Sequence, residues 1–354
     1  MPTLVGGAME RCAIGIDLGG TVLKGGIVSE SGRLLEYRST PSRVFEGPDR
    51  VLVNLTTMAD ILTAKASECG YPVAGIAVAT PGVIDPVFGG IVGGAENLPG
   101  WEGVQFMKTM HERFGFPVMA HNDVTTHVLG ETRFGAGVGK KNVIMASFGT
   151  GVGGGIIVGG NLYTGSIGYA GEIGHFTTHA GGQLCACGIR GCWEEYASIR
   201  GILRIARRRV DEAKRVPGPP DLHGNSLLKA WSAQVEKDAP GAGSPAGLDP
   251  AMIFEAARDG DGLALEIVDE VGREAAVGIG GLINIFNPEL FIIGGGIASA
   301  GEIYLDAVRR HVPDWTLKLS MGSVLIVPAR LGYDAGVIGA SVLAFDRINV
   351  YEAG

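Results

Sequence analysis

The sequence predicts an α/β protein of two domains. Three features carry that expectation: length and apolar content, short β-branched runs alternating with helical stretches, and a strand followed by a glycine turn that occurs twice. At 354 residues, 46% hydrophobic and 19% charged, the chain has apolar material for a sizeable core and exceeds one ordinary domain. Its 59 glycines are no low-complexity tract, because many sit in pairs between β-branched runs, where tight turns or close ligand approach are required.

In chain order, residues 13–16, 23–28 and 73–79 read as strands, and 51–68 and 104–114 have the polar and apolar spacing of helices. A second block opens near Asn122. Residues 117–120 are strand-like, 125–134 helical, 142–148 a buried strand, and 154–158 a further strand after a glycine-rich turn. Helical spacing returns over 196–209 and 263–286, before the apolar strand 290–293 and the turn Gly294, Gly295, Gly296. Between these helices, 216–250 holds VPGPPD and DAPGAGSPAG with one short helical candidate, 227–235, and reads as a surface insertion with mobile ends and no chemistry. The expected division is a small domain of 1–122 plus 336–354 and a large domain of 123–335.

Composition excludes several classes. The formal charge of −8 and the lack of any Lys/Arg-dense run argue against a nucleic-acid or anionic-membrane partner and favour a small substrate. No apolar stretch approaches the roughly 20 residues a membrane span needs. The opening MPTLVGGAMERC lacks the basic start and apolar run of an export signal. Of five cysteines, three crowd into Cys185-Ala186-Cys187 and Cys192, which suits metal binding in a reducing compartment, hence the cytoplasm.

The motifs carry the chemistry. Asp17-Leu18-Gly19-Gly20-Thr21 ends a strand. Backbone N–H groups and a threonine hydroxyl there can surround phosphate oxygens while the aspartate holds Mg²⁺ through water; a plain hairpin turn is the alternative. Gly149-Thr150-Gly151-Val152-Gly153-Gly154 is no dinucleotide fingerprint, since strand-like Ile156-Ile157-Val158 follows it rather than a helix. No Gly-Lys-Ser/Thr follows a glycine cluster either, which leaves paired glycine turns to hold the phosphates. Asn122-Asp123 stands between a strand and a helix, so Asp123 is either a carboxylate facing a crevice or a helix N-cap. Glu172 and His175, three apart, share a face of a helical turn. His175, Cys185, Cys187 and Cys192 make a Cys₃His set whose four ligands close a tetrahedron, the pattern of a structural Zn²⁺. Glu194, two residues past Cys192, is either placed by the metal loop or a solvated acid at a helix start, as is Glu195.

These residues, in this order, resemble the ROK family of bacterial kinases and repressors. The resemblance runs nearly end to end, through IDLGGT, TPGVID, ENLPGW, HNDV, GETRFGAG, FGTGVGGG, AGEIGH, CACGIRGCWE and INIFNPELFIIGGG. It implies an actin-like (ribonuclease H-like) ATPase fold of two α/β domains, with a ligand cleft between them that takes a hexose and ATP. Carried over, Asp17, Gly19, Gly20, Thr21 and Lys24 belong to phosphate and Mg²⁺, with Gly149, Thr150 and Gly151 as the second phosphate turn. Gly295 and Gly296 fall near adenosine. Asp123 is then the general base, and Gly82, Asn97, Asn122, Asp123, Glu172, His175 and Glu194 line the sugar.

The implied activity is transfer of the ATP γ-phosphate to the 6-hydroxyl of glucose, with N-acetylmannosamine or another hexose or hexosamine as the alternative acceptor and polyphosphate as an alternative donor. A homodimer is the family expectation. From another class, the family offers sugar-sensing transcriptional regulators, which carry a winged DNA-binding module ahead of this core. With Asp17 so near the start and no helix-turn-helix pattern before it, the sequence is expected to lack that module.

Overall fold

The computed structural model describes residues 4–5, 8–95, 98–215, 227, 249–348 and 350–351. After a short antiparallel pair, Leu4–Val5 with Ala8–Met9, come β1 (Cys12–Leu18), β2 (Val22–Ser29), β3 (Leu34–Pro41) and α1 (Pro48–Glu68). Then follow β4 (Val73–Thr80), the hairpin β5 (Val83–Asp85) and β6 (Gly90–Gly93), α2 (Phe106–Phe114), β7 (Val118–Asn122) and α3 (Asp123–Phe134). Next are β8 (Val143–Phe148), β9 (Val152–Val158), β10 (Asn161–Leu162), α4 (Glu194–Ala197), α5 (Ile199–Arg215), α6 (Pro250–Arg258) and α7 (Gly262–Phe286). The last are β11 (Leu290–Gly294), α8 (Glu302–His311), β12 (Leu325–Pro328), α9 (Ala335–Asp346) and β13 (Val350–Tyr351).

Of the described residues, those within 1–143, 155–171 and 330–354 form one compact unit and those within 144–154 and 172–329 a second. This division by contacts differs from the sequence-based boundary at 123, because α3 packs on α9 and stays with the first unit.

The first unit is built on a six-stranded sheet in the order β13-β7-β4-β1-β2-β3. β1, β2 and β3 form an antiparallel meander, and β4 and β7 run parallel to β1. On one face Leu55, Met58 and Leu62 of α1 cluster with Ile14, Ile16, Leu23 and Ile27. On the other lies α9, AGVIGASVLAFD, in which every residue from Ala335 to Ala344 is buried. The helix is small enough to approach the sheet backbone directly: a Cβ on Gly15 would stand 2.1 Å from the Val337 carbonyl oxygen. Its buried circumference also explains why no amphipathic period marks it in the sequence.

The second sheet has the order β10-β9-β8-β11-β12, with β11 and β12 parallel. The core of the second unit gathers around α7, whose Ile267, Val271, Ala275 and Ile279 are buried with Phe291, Ile293, Tyr304 and Trp193. The helix expected over 196–209 is two, α4 and α5, because Ser198 is extended at φ −84°, ψ 175°. Of the expected insertion 216–250, the structure describes 227, 249 and 250. Leu227 is buried in this core and its N–H bonds Asp261 Oδ2 at 3.0 Å, and Asp249 caps α6 through Ala251 N–H. The rest of 216–248 lies outside the described residues.

Candidate active site

In the first unit β1 delivers Asp17 to its carboxyl end, 8% exposed. Asp17 Oδ2 accepts from Lys24 Nζ at 3.3 Å, one antiparallel step away on β2, and the ammonium also donates to the Tyr333 carbonyl at 3.2 Å while lying 3.7 Å from the centre of that ring. Lys24, assigned to phosphate by resemblance, is thus the counter-ion of Asp17. The turn closes through Gly19 N–H to the Val22 carbonyl at 3.1 Å, and Gly20 and Thr21 are exposed. At Gly336, the second residue of α9, a Cβ would stand 2.4 Å from the Asp17 carboxylate, so the helix start and the acid fit only with glycine there.

The choice between cap and free acid at 122–123 falls to both residues in turn. Asn122 is the N-cap of α3, its Oδ1 accepting from Val124 N–H at 3.0 Å and Thr125 N–H at 3.3 Å. Asp123, the first helical residue, is thereby relieved of capping, although its Oδ1 does accept the neighbouring Val124 N–H at 2.9 Å. Burial above all pushes the Asp123 carboxyl above its ordinary value; His127, one turn on, opposes this and the negative charge of Asp17 adds to it. The preceding His121 is 2% exposed, accepts the Asn122 N–H at Nδ1 (2.8 Å) and is kept neutral by burial, its pKa lowered to about 4.

Gly82 lies between β4 and β5 at φ +102°, a left-handed turn that only glycine takes without strain. Asn97 lies outside the described residues.

In the second unit the turn after β8 holds Gly149, Thr150 and Gly151, with Gly149 N–H bonded to the Gly151 carbonyl at 2.9 Å. Gly295, after β11, has φ +83°, and a Cβ there would strike the Phe148 backbone at 2.3 Å. Gly296 is open, and beside it a cavity of about 370 Å³ is lined by Phe254, Glu255, Arg258, Ile297 and Ser299 among others. None of these lining residues was marked in the sequence, because α6 carries no motif.

Glu172 precedes the single helical turn Ile173–His175, and its Oε2 is 4.0 Å from His175 Nε2, so the two do share a face. The other ring nitrogen, Nδ1, is 3.7 Å from Cys185 Sγ, and Cys187 and Cys192 sulfurs are 3.6 Å apart. The four ligand atoms of His175, Cys185, Cys187 and Cys192 all lie within 4.8 Å of one another. A tetrahedron with Zn–S bonds of about 2.3 Å has S···S edges of about 3.8 Å, so the set fits that metal. Burial also raises the Cys185 and Cys192 thiols, Cys192 to about 12, so their ionisation calls for a cation beside them.

Neither acid past Cys192 is a solvated charge. Glu195, 6% exposed, pairs with Arg204 at 3.0 Å, and Glu194 pairs with Arg200 at 2.9 Å. Arg200 and Tyr333 escaped the sequence reading, since only the fold shows which acid or ammonium each one meets.

Two α/β units, each with a glycine turn at the end of a strand, here constitute the actin-like ATPase fold. The solved structure of a ROK family glucokinase from Streptomyces griseus, in complex with glucose and AMPPNP, matches with a TM-score of 0.74 at 32% identity over 95% of this chain and 99% of that one. The ROK hexokinase of Thermus thermophilus matches at 0.72 and 28% identity over 96% and 99%. The chain belongs to the ROK family, whose model matches residues 13–347. A glucokinase of Thermotoga maritima is 36% identical over 336 residues, 95% of this chain and 98% of that protein. No helix among the described residues is long and apolar enough to cross a membrane.

Proposed function

We propose that the protein is an ATP-dependent hexokinase that transfers the γ-phosphate to the 6-hydroxyl of glucose. The observation that carries this is Asp123, a carboxylate at the start of α3 whose capping role falls to Asn122 and whose basicity is raised by burial and by Asp17. The names of the 36% and 32% identical relatives support glucose as the acceptor. Asp123 takes the proton of the attacking hydroxyl, while Asn122, Glu172, His175 and Glu194 fix the sugar by its hydroxyl stereochemistry, with Gly82 and Asn97 as further lining. Gly19, Gly20, Thr21 and Lys24, together with Gly149, Thr150 and Gly151, hold the phosphates, and Gly295 and Gly296 lie by the adenosine. Bound Mg²⁺ supplies charge neutralisation on the transferring phosphoryl group, and Asp17 is the oxygen donor that fits it. The Cys₃His set holds a structural Zn²⁺ and leaves no coordination position open. Three thiols kept as ligands suit the reducing cytoplasm.

The test is ADP release with a panel of hexoses and hexosamines, beside a mobility shift on DNA. Glucose is expected to give the highest kcat/KM, with no DNA shift. A tenfold preference for N-acetylmannosamine would replace the substrate and keep the kinase, whereas a DNA shift without turnover would favour the regulator.

The base acts only when deprotonated, and burial first of all makes its carboxyl titrate above the ordinary value of 3.8. The glucose kcat/KM is therefore expected to fall as the pH drops through that raised value and to be level above it. A profile measured from about pH 4 upward that stays flat to its acid end would separate Asp123 from the rate.

A further inference from the structure

We infer that Glu194 is a positioning residue for the second phosphate turn, so that the metal-ligating loop acts on the nucleotide as well as on the sugar. The inference rests on the kinase reading above. The sequence alone ties the metal to sugar binding, through Glu172, His175 and Glu194, and leaves the nucleotide to the glycine turns.

Three contacts within the second unit join what the sequence leaves separate. Glu194 Oε2 accepts the Val152 N–H at 3.1 Å, at the residue where the turn becomes β9. A Cβ on Gly151 would stand 2.2 Å from that same oxygen, so the carboxylate occupies the space any other residue would need. From the opposite side Gly174, which precedes the ligand His175, lies against the Val152 carbonyl so closely that a Cβ would approach it to 2.1 Å. The far end of the turn is fastened too, the Gly149 carbonyl accepting from Ile199 N–H at 2.9 Å. The residues that hold Val152 thus flank the ligands His175 and Cys192 in the chain.

Glu194 itself has little freedom. Its side chain is 13% exposed, with Oε1 on Arg200 at 2.9 Å and facing Cys185 Sγ at 3.8 Å. A carboxylate held this way fixes the plane of the Gly151–Val152 peptide and with it the course of the turn. Because one carboxylate serves both ligands, sugar and nucleotide affinities are coupled, and the coupling is reciprocal.

The experiment is calorimetric titration of the full-length protein, holding its metal, with ADP plus Mg²⁺ in the absence of sugar, and separately with glucose, on wild type, Glu194→Ala and Glu194→Gln. Glu194→Ala is expected to weaken ADP binding about tenfold or more and to weaken glucose binding as well. Glu194→Gln keeps an oxygen for the Val152 N–H while losing the charge toward Arg200 and the sugar. It is expected to hold ADP within about threefold of wild type and to lose glucose affinity, a split that a merely structural role does not produce. Chelation of the metal is expected to weaken ADP binding in wild type and to have no further effect on ADP in Glu194→Ala. ADP affinity unchanged in Glu194→Ala, or lost in Glu194→Gln together with glucose, overturns the inference. If Glu194→Ala does not fold, the Glu194→Gln split decides alone. A wild type that binds glucose but no ADP overturns the kinase reading and this inference with it.

Discussion

Asp123→Asn is expected to lower kcat for glucose phosphorylation by roughly 10²- to 10⁴-fold while leaving glucose binding and the fold in place. The amide is isosteric, and the helix cap belongs to Asn122, so α3 keeps both of its cap bonds, to Val124 and Thr125 N–H. Asparagine can still accept the Val124 N–H that Asp123 accepts at 2.9 Å. Proton acceptance is removed. The buried charge is removed as well, which relieves repulsion with Asp17, so the melting temperature should hold or rise. Turnover near the wild-type rate in a variant of confirmed fold would take the base role from Asp123.

Cys187→Ser is expected to reduce metal below one Zn²⁺ per chain, to raise KM for glucose roughly 10- to 100-fold, and to lower Tm by several degrees. The loop it belongs to closes on itself through local bonds, among them Cys185 N–H to the Ile189 carbonyl at 2.9 Å, Gly188 N–H to the Cys185 carbonyl at 2.9 Å and Gly191 N–H to the Gln183 carbonyl at 2.7 Å. Without the metal, His175 loses what orients its ring between Cys185 and Glu172. Elemental analysis beside glucose titration checks this. A metal-free preparation, shown to lack disulfides among these cysteines, that kept full glucose affinity would end the structural-zinc reading.

What could be read from the chain and what could not divides along physical lines. The Cys₃His set was legible because ligand spacing is a local property, and its four donor atoms do converge. β1, β4 and α7 were legible from apolar runs and helical period, whereas α9 was not, since a helix buried on all sides shows no alternation and its glycines argue against helix in isolation. At 122–123 the sequence offered cap or acid for Asp123, and only the backbone geometry shows the cap on its neighbour, which moves the start of α3 from 125 to 123. The bond from Val152 to Glu194 spans 42 positions, and no spacing rule reaches that far.

The burial of α9 has a consequence for synthesis. The six-stranded sheet of the first unit has five of its strands by Asn122, yet the helix that covers one of its faces begins at Ala335, more than 200 residues later. At a ribosomal pace of roughly 5–20 residues per second, that face waits on the order of 10–40 s for its lid. During the wait the glycine-lined strands around Gly15 and Gly26 present bare backbone and apolar side chains to the cell. The nascent first unit therefore keeps this apolar face open until α9 has been made, by which time the described residues within 172–329, the bulk of the second unit, have already emerged.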